Sequence, residues 1–124
     1  MVVLIILSVS LGNTESRRHE DNYISYRNAD DMYMDDKLED ALSVYTGLAA
    51  EYPRSYVLEY KAAMCEYYLD NYESAIAHAM KTLELYPRLL EETEFLDFLE
   101  DCLKLSGDTA SAEIVSARLQ TIGR

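Results

Sequence analysis

The feature that most limits what this chain can fold into is an internal period of 34 residues. Setting residues 23–54 against residues 57–88 without a gap gives nine identities: Tyr26/Tyr60, Ala29/Ala63, Tyr33/Tyr67, Asp36/Asp70, Glu39/Glu73, Ala41/Ala75, Tyr52/Tyr86, Pro53/Pro87 and Arg54/Arg88. Ile24/Leu58, Arg27/Lys61 and Leu42/Ile76 are near-equivalent, and the ending Tyr-Pro-Arg returns intact. A period of this length marks an array of supersecondary units, each too small to bury its apolar face alone.

Within each unit the apolar residues fall at helical spacing. Leu38, Ala41, Leu42, Tyr45, Leu48, Ala49 and Tyr52 share one face of a helix, as do Tyr72, Ala75, Ile76, Ala79, Met80, Leu83 and Tyr86. A preceding helix in each unit carries a stripe, Tyr26, Ala29 and Tyr33 in the first and Tyr60, Ala63 and Tyr67 in the second. Asp35-Asp36-Lys37 and Asp70-Asn71 supply the turns between them. Pro53 and Pro87 end the second helices, because proline lacks an amide proton and restricts the residue before it. With only two prolines and four glycines in 124 residues, the chain reads as all-α.

A third unit departs from the period. Phe95, Phe98, Leu99, Cys102 and Leu103 line a helix expected over 89–105, Gly107 breaks it, and Ala112, Val115, Leu119 and Ile122 line a last helix. Ala112 follows Ala75 by 37 residues rather than 34, and no proline closes the unit. A degenerate last unit is what an array capped against water requires. The expected division is therefore a signal peptide or apolar arm at 1–12, a polar linker at 13–22, repeats at 23–54 and 55–88, and a terminal hairpin at 89–124, six helices in three antiparallel hairpins.

The segments Asp36 to Leu42 and Asp70 to Ile76, with Ala41 and Ala75 at the small position and the closing prolines, resemble the tetratricopeptide repeat. The resemblance covers about residues 22–122. It implies a right-handed superhelix of helix-turn-helix hairpins, an α-solenoid, and a non-catalytic module that binds a peptide segment of another protein. The first helices would line the concave groove. The candidate groove positions that the resemblance implies are Arg27, Asp30, Asp31, Met34, Lys61, Met64, Cys65 and Tyr68. The paired asparagines of the subclass that clamps a chaperone's terminal carboxylate are missing, and the mixed acidic, aromatic and Met character suits a basic or amphipathic peptide.

The tyrosines divide by periodicity. Tyr26, Tyr33, Tyr60 and Tyr67 recur and are expected to pack between helices. Tyr23, Tyr56 and Tyr68 do not recur and are candidates for an exposed aromatic surface, since Tyr joins a rigid ring to a polar tip. The candidate binding set is thus Tyr23, Arg27, Asp30, Asp31, Met34, Tyr56, Lys61, Met64 and Tyr68. Ala41 and Ala75 are expected where helices approach closely.

The formal charge is −12, and no stretch is strongly basic, so the footprint of a nucleic-acid binder is missing. Such a surface keeps a protein soluble and favours a basic partner. Neither a catalytic constellation nor a phosphate-binding glycine loop is present, and the run from Asp30 to Ala41 lacks the glycine and alternation of a calcium loop. No cofactor, metal or small-molecule substrate is expected. His19 falls in the polar linker. His78 lies on the helix face away from Ala75 and Ala79 and reads as solvated. Cys65 and Cys102 fall on apolar faces and read as buried thiols rather than a disulfide framework.

The run from Met1 to Leu11 is too short to span a bilayer, which takes about 20 residues. Its length suits a secretory signal, with small residues at Ser10 and Gly12 for cleavage after Gly12, but no Lys or Arg precedes it. An apolar arm packed on the domain is the alternative, so the chain is expected to be exported on the first reading and cytoplasmic on the second. Two functional classes stand: an adaptor that captures a peptide, and a structural subunit whose repeats stack on copies of itself or on a larger assembly.

Overall fold

A computed structural model describes residues 2–123, with side chains from Ser16 to Gly123. The chain is all-α: α1 (Val2–Met34), α2 (Leu38–Glu51), α3 (Tyr56–Tyr68), α4 (Tyr72–Leu85), α5 (Thr93–Ser106) and α6 (Thr109–Thr121), with a short 3-10 helix at Pro87–Glu91 before α5. Each helix packs chiefly on the helices that precede and follow it in sequence.

The hairpin turns share one chemistry. Asp36 and Asp70 take left-handed backbone (φ 64° and 65°), and Gly107 does the same at φ 91°. In each turn the left-handed residue donates its N–H three residues back, to Tyr33, Tyr67 or Lys104. The next residue donates five back, from Lys37 to Met32, Asn71 to Glu66 and Asp108 to Leu103. These are Schellman closures, which satisfy carbonyls that the helix end leaves orphaned. The residue after each left-handed one caps the next helix, and the alanine four residues on donates to it: Ala41 to Lys37, Ala75 to Asn71, Ala112 to Asp108. All three alanines are buried, so each sits where a helix meets its partner. At the far end of α2 and α4, Tyr52 and Tyr86 leave the helical region, with ψ 70° and 81°, ahead of the prolines and cap their helices by donating to Leu48 and Thr82.

The departure from the period has a simple location. Helix α3 begins at Tyr56, three residues after Pro53, whereas α5 begins at Thr93, six after Pro87. The extra three residues make room for the five-residue 3-10 helix, which carries Leu89 into the core at 3% exposure. The third unit's first helix therefore starts at Thr93, not at Leu89. By the same offset Cys102 stands where Cys65 stands in the second unit; both thiols are buried and unpaired.

Two further expectations change. Residues 13–22 are not a linker: they continue α1, and its His19 and Asn22 pack against the C-terminal end of α2. Asn22 donates to Glu51 and to the Tyr52 hydroxyl, and the His19 ring lies 5.9 Å from that of Tyr52. The export reading rests on Met1–Gly12, whose side chains lie outside those described. Among the described residues no helix is long and apolar enough to cross a membrane.

The core falls into two clusters. Ala29, Ala41, Tyr45, Leu48, Leu58, Ala62 and Cys65 form the N-terminal one. Ala63, Ala79, Leu89, Phe95, Leu96, Leu99, Leu103, Ala112 and Leu119 form the C-terminal one. Helix α3 contributes to both, because its two small neighbours Ala62 and Ala63 face opposite clusters.

Candidate functional site

Helices α1 and α3 lie side by side through long side chains. Lys61 donates from α3 to Asp30 Oδ1 on α1 at 2.7 Å, and the Tyr33 and Tyr68 rings meet edge to face at 6.0 Å. Between the helices, over α2, is a hollow of about 360 Å³ lined by Asp30, Tyr33, Met34, Tyr45, Lys61 and Met64. Four of the nine residues expected to bind, Asp30, Met34, Lys61 and Met64, meet here.

The polar groups of this hollow are already partnered. Tyr45 donates its hydroxyl to Asp30 Oδ1, the oxygen that also receives Lys61. The Lys61 ammonium lies 4.4 Å from the centre of the Tyr26 ring and 5.8 Å from that of Tyr45, a cation–π arrangement closed by a carboxylate. Burial alone lowers the Lys61 pKa, and its hydrogen bonds to Asp30 and Tyr26 outweigh it, so the net shift is upward. Tyr45 is raised, first by burial and then by its bond to Asp30. What the hollow offers an incoming group is the apolar remainder: Met34, which is 79% exposed, with Met64 and the Tyr33 ring. Burial, then Tyr68, pushes the Tyr33 phenol up to about 12.

Tyr68 adjoins this hollow through Tyr33 and lines a second one, of about 440 Å³, with Asp36, Lys37, Leu38, Glu39, Asp40 and Leu69. Its ring is 56% exposed. Tyr67 holds it edge to face at 5.0 Å and in turn contacts Phe98 on α5 and donates its hydroxyl to Asp101. That bond, then burial, raises the Tyr67 phenol to about 12. A continuous aromatic band thus joins the first helices of all three hairpins, with Tyr60 between Phe95 and Phe98 at the centre.

The other candidates lie apart. Tyr23, 59% exposed, belongs to a hollow at the opposite end of α2, with His19, Tyr26, Tyr52 and Val57. Arg27 and Asp31 are exposed and line neither α1–α3 hollow. Tyr56 is not part of an exposed surface: it stacks on Tyr86 at 4.6 Å with the rings 13° from parallel and packs on the C-terminal core. Tyr26, Tyr33, Tyr60 and Tyr67 pack between helices as their periodicity predicts.

A scan against models of known protein families finds no match for this chain. A search of curated proteins likewise returns no significantly similar sequence.

Sequence reasoning passed over Tyr33 and Tyr45 as site residues, because their helical stripes point to the core and only the outer edge of each ring reaches the hollow. It also missed the partner of His78. The side chain leaves the Ala75–Ala79 face and stays partly exposed, but its Nδ1 lies 2.8 Å from Glu59 Oε2, and Glu59, 5% exposed, also receives Lys81 at 3.3 Å. The buried carboxylate at Glu59 is the missing partner, and its place amid apolar neighbours in α3 was the one available sign. Among the described residues no group of His, Cys, Asp or Glu is arranged to hold a metal ion.

Proposed function

We propose that this chain is a non-catalytic protein-interaction module of tetratricopeptide type, whose first helices form a groove for a peptide segment of a partner protein. The observation that carries the reading is the Met- and Tyr-walled hollow between α1 and α3, whose polar groups are spent on one another. Partnered acids and bases are poor catalysts and good architecture, whereas adaptable methionines beside rigid rings suit capture of a side chain. Three hairpins joined by the same turn chemistry support the superhelical stacking of such repeats.

The full-length chain, immobilised and exposed to extract of its source organism, should retain a partner that a Met34→Glu variant does not. Equal retention by both would place recognition away from this hollow. A structural subunit is the second reading, favoured by Ile24 on α1 and Ile114 on α6, exposed at 50% and 72% on the two terminal helices. Sedimentation separates the two: the module is monomeric by itself, and the subunit associates.

A further inference from the structure

Resting on the peptide-groove reading, we propose that the ligand is a segment carrying a bulky apolar side chain beside a basic one. The apolar side chain enters the Met34–Met64 hollow, and the basic one lies on the Tyr68 ring toward Asp36, Glu39 and Asp40.

The first half follows from the internal pairing. A cation drawn to Asp30 would meet Lys61, which is held by the carboxylate at 2.7 Å and by the Tyr26 ring. An anion drawn to Lys61 would meet Asp30, so the pair presents no net charge. Neither charge selects this hollow. Methionine and tyrosine surface remains, and an apolar side chain loses no hydrogen bond by entering it.

The second half follows from the neighbouring hollow. Its lining holds three carboxylates, Asp36, Glu39 and Asp40, against one ammonium, Lys37. Glu39 and Asp40 sit in the first turn of α2, where carboxylates also balance the helix end. The exposed face of Tyr68 opens on the same space. A ring face beside a net negative charge attracts an ammonium or guanidinium group. The molecule already contains one such arrangement with its cation in place, Lys61 over Tyr26 beside Asp30. At Tyr68 the ring and the acids are there and no cation of the chain lies over the ring among the described contacts. Tyr33 belongs to the first hollow and touches Tyr68, so the two subsites adjoin, and one short segment reaches both.

The test uses the full-length ¹⁵N-labelled chain and synthetic peptides, acetylated and amidated, with one Leu and one Arg at increasing separation in a Gly-Ser background. At a preferred separation the Leu–Arg peptide should bind at least ~10-fold more tightly than its Leu–Glu or Ser–Arg counterpart, with an Arg contribution that declines as salt is added. Shifts should centre on Met34, Met64 and Tyr68. Tyr68→Leu should erase the preference for Arg over Glu and keep that for Leu over Ser, and Met34→Ser should do the converse. Both residues are exposed, so neither substitution empties the core. Equal binding of Leu–Glu, or shifts centred on α5 and α6, would overturn the proposal and leave peptide capture standing. A series with no binder also overturns it; peptide capture itself then stands or falls on retention of the partner by the immobilised chain.

Discussion

The N-terminal core is closed by Tyr45, whose ring is buried to 1% and whose hydroxyl still needs an acceptor, and by the alanines at 29, 41 and 62. The C-terminal core is closed by Phe95, Leu96, Leu99, Leu103 and Leu119, none of which carries a polar atom in its side chain. The two halves share turn and cap chemistry, yet the polar group of the first lies within its cluster, at Tyr45, whereas the buried polar side chains of the second, Glu59, Thr82 and Glu100, stand beside its apolar cluster and outside it. Tyr45 keeps its hydroxyl on Asp30, which joins Asp30 and Lys61 at the edge of the hollow. A phenylalanine-and-leucine cluster needs no such partner of its own; Glu59 and Glu100 are held around it by His78, Lys81 and Lys104.

The largest effect that would test this contrast is truncation in the C-terminal cluster. Phe95→Ala should cost about 3–5 kcal/mol, read as a lower urea midpoint, because a fully buried ring leaves a cavity its neighbours cannot fill. A loss below about 1 kcal/mol would show that the C-terminal half is loosely packed and the contrast unfounded. Next, Ala75→Leu should cost about 1–3 kcal/mol, since Ala75 is fully buried at a helix contact; an unchanged midpoint would mean that the hairpins have room to spare.

In the N-terminal cluster, Tyr45→Phe should cost about 1.5 kcal/mol, because it removes a hydrogen bond to a charged acceptor while the ring still fills its place. Lys61 keeps Asp30 partnered, so the loss should fall short of that from Phe95→Ala. Equal losses would remove the distinction between the cores.

Alkaline pH sharpens the comparison further. Burial raises the Cys65 and Cys102 thiols to about 11 and, aided by Tyr68, the Tyr33 phenol to about 12. These groups stay protonated longer in the folded state than in the unfolded chain. Their contribution is whole below pH about 9 and is lost as pH rises toward 11 and beyond. Stability should therefore be flat from pH 7 to about 9 and fall above it. A rise above pH 9 would contradict the burial of these groups.

The smallest expected effect concerns the turns. Asp70 holds left-handed backbone that costs a residue with a side chain about 1 kcal/mol relative to glycine, as Gly107 shows in the third hairpin. Asp70→Gly should raise the urea midpoint slightly, after loss of the exposed bond from the Tyr72 hydroxyl. A lower midpoint would mean that this bond outweighs the backbone strain.

The helices, their turns and their closing prolines were all open to a reader of the sequence, because each depends on chemistry within a few residues. A proline ends α2 whatever packs on it, and an alanine at 41, 75 or 112 marks a contact because only a small side chain fits there. The 34-residue period also disclosed which stripes face inward, and the tyrosines that recur do so. The 3-10 turn escaped notice because three extra residues change the count without saying where they lie. The continuation of α1 through residues 13–22 escaped it because a polar helix and a polar linker share a composition, and only the packing of His19 and Asn22 on Tyr52 separates them. The pairing of charges belongs wholly to tertiary structure. Asp30, Tyr45 and Lys61 come from three different helices, and Glu59 meets His78 and Lys81 across another hairpin. Periodicity assigns a residue to a helix face, but a hydrogen bond depends on how far each helix is rotated and raised against its neighbour. That displacement is smaller than one helical turn, and the close packing of rings and alanines in the core sets it.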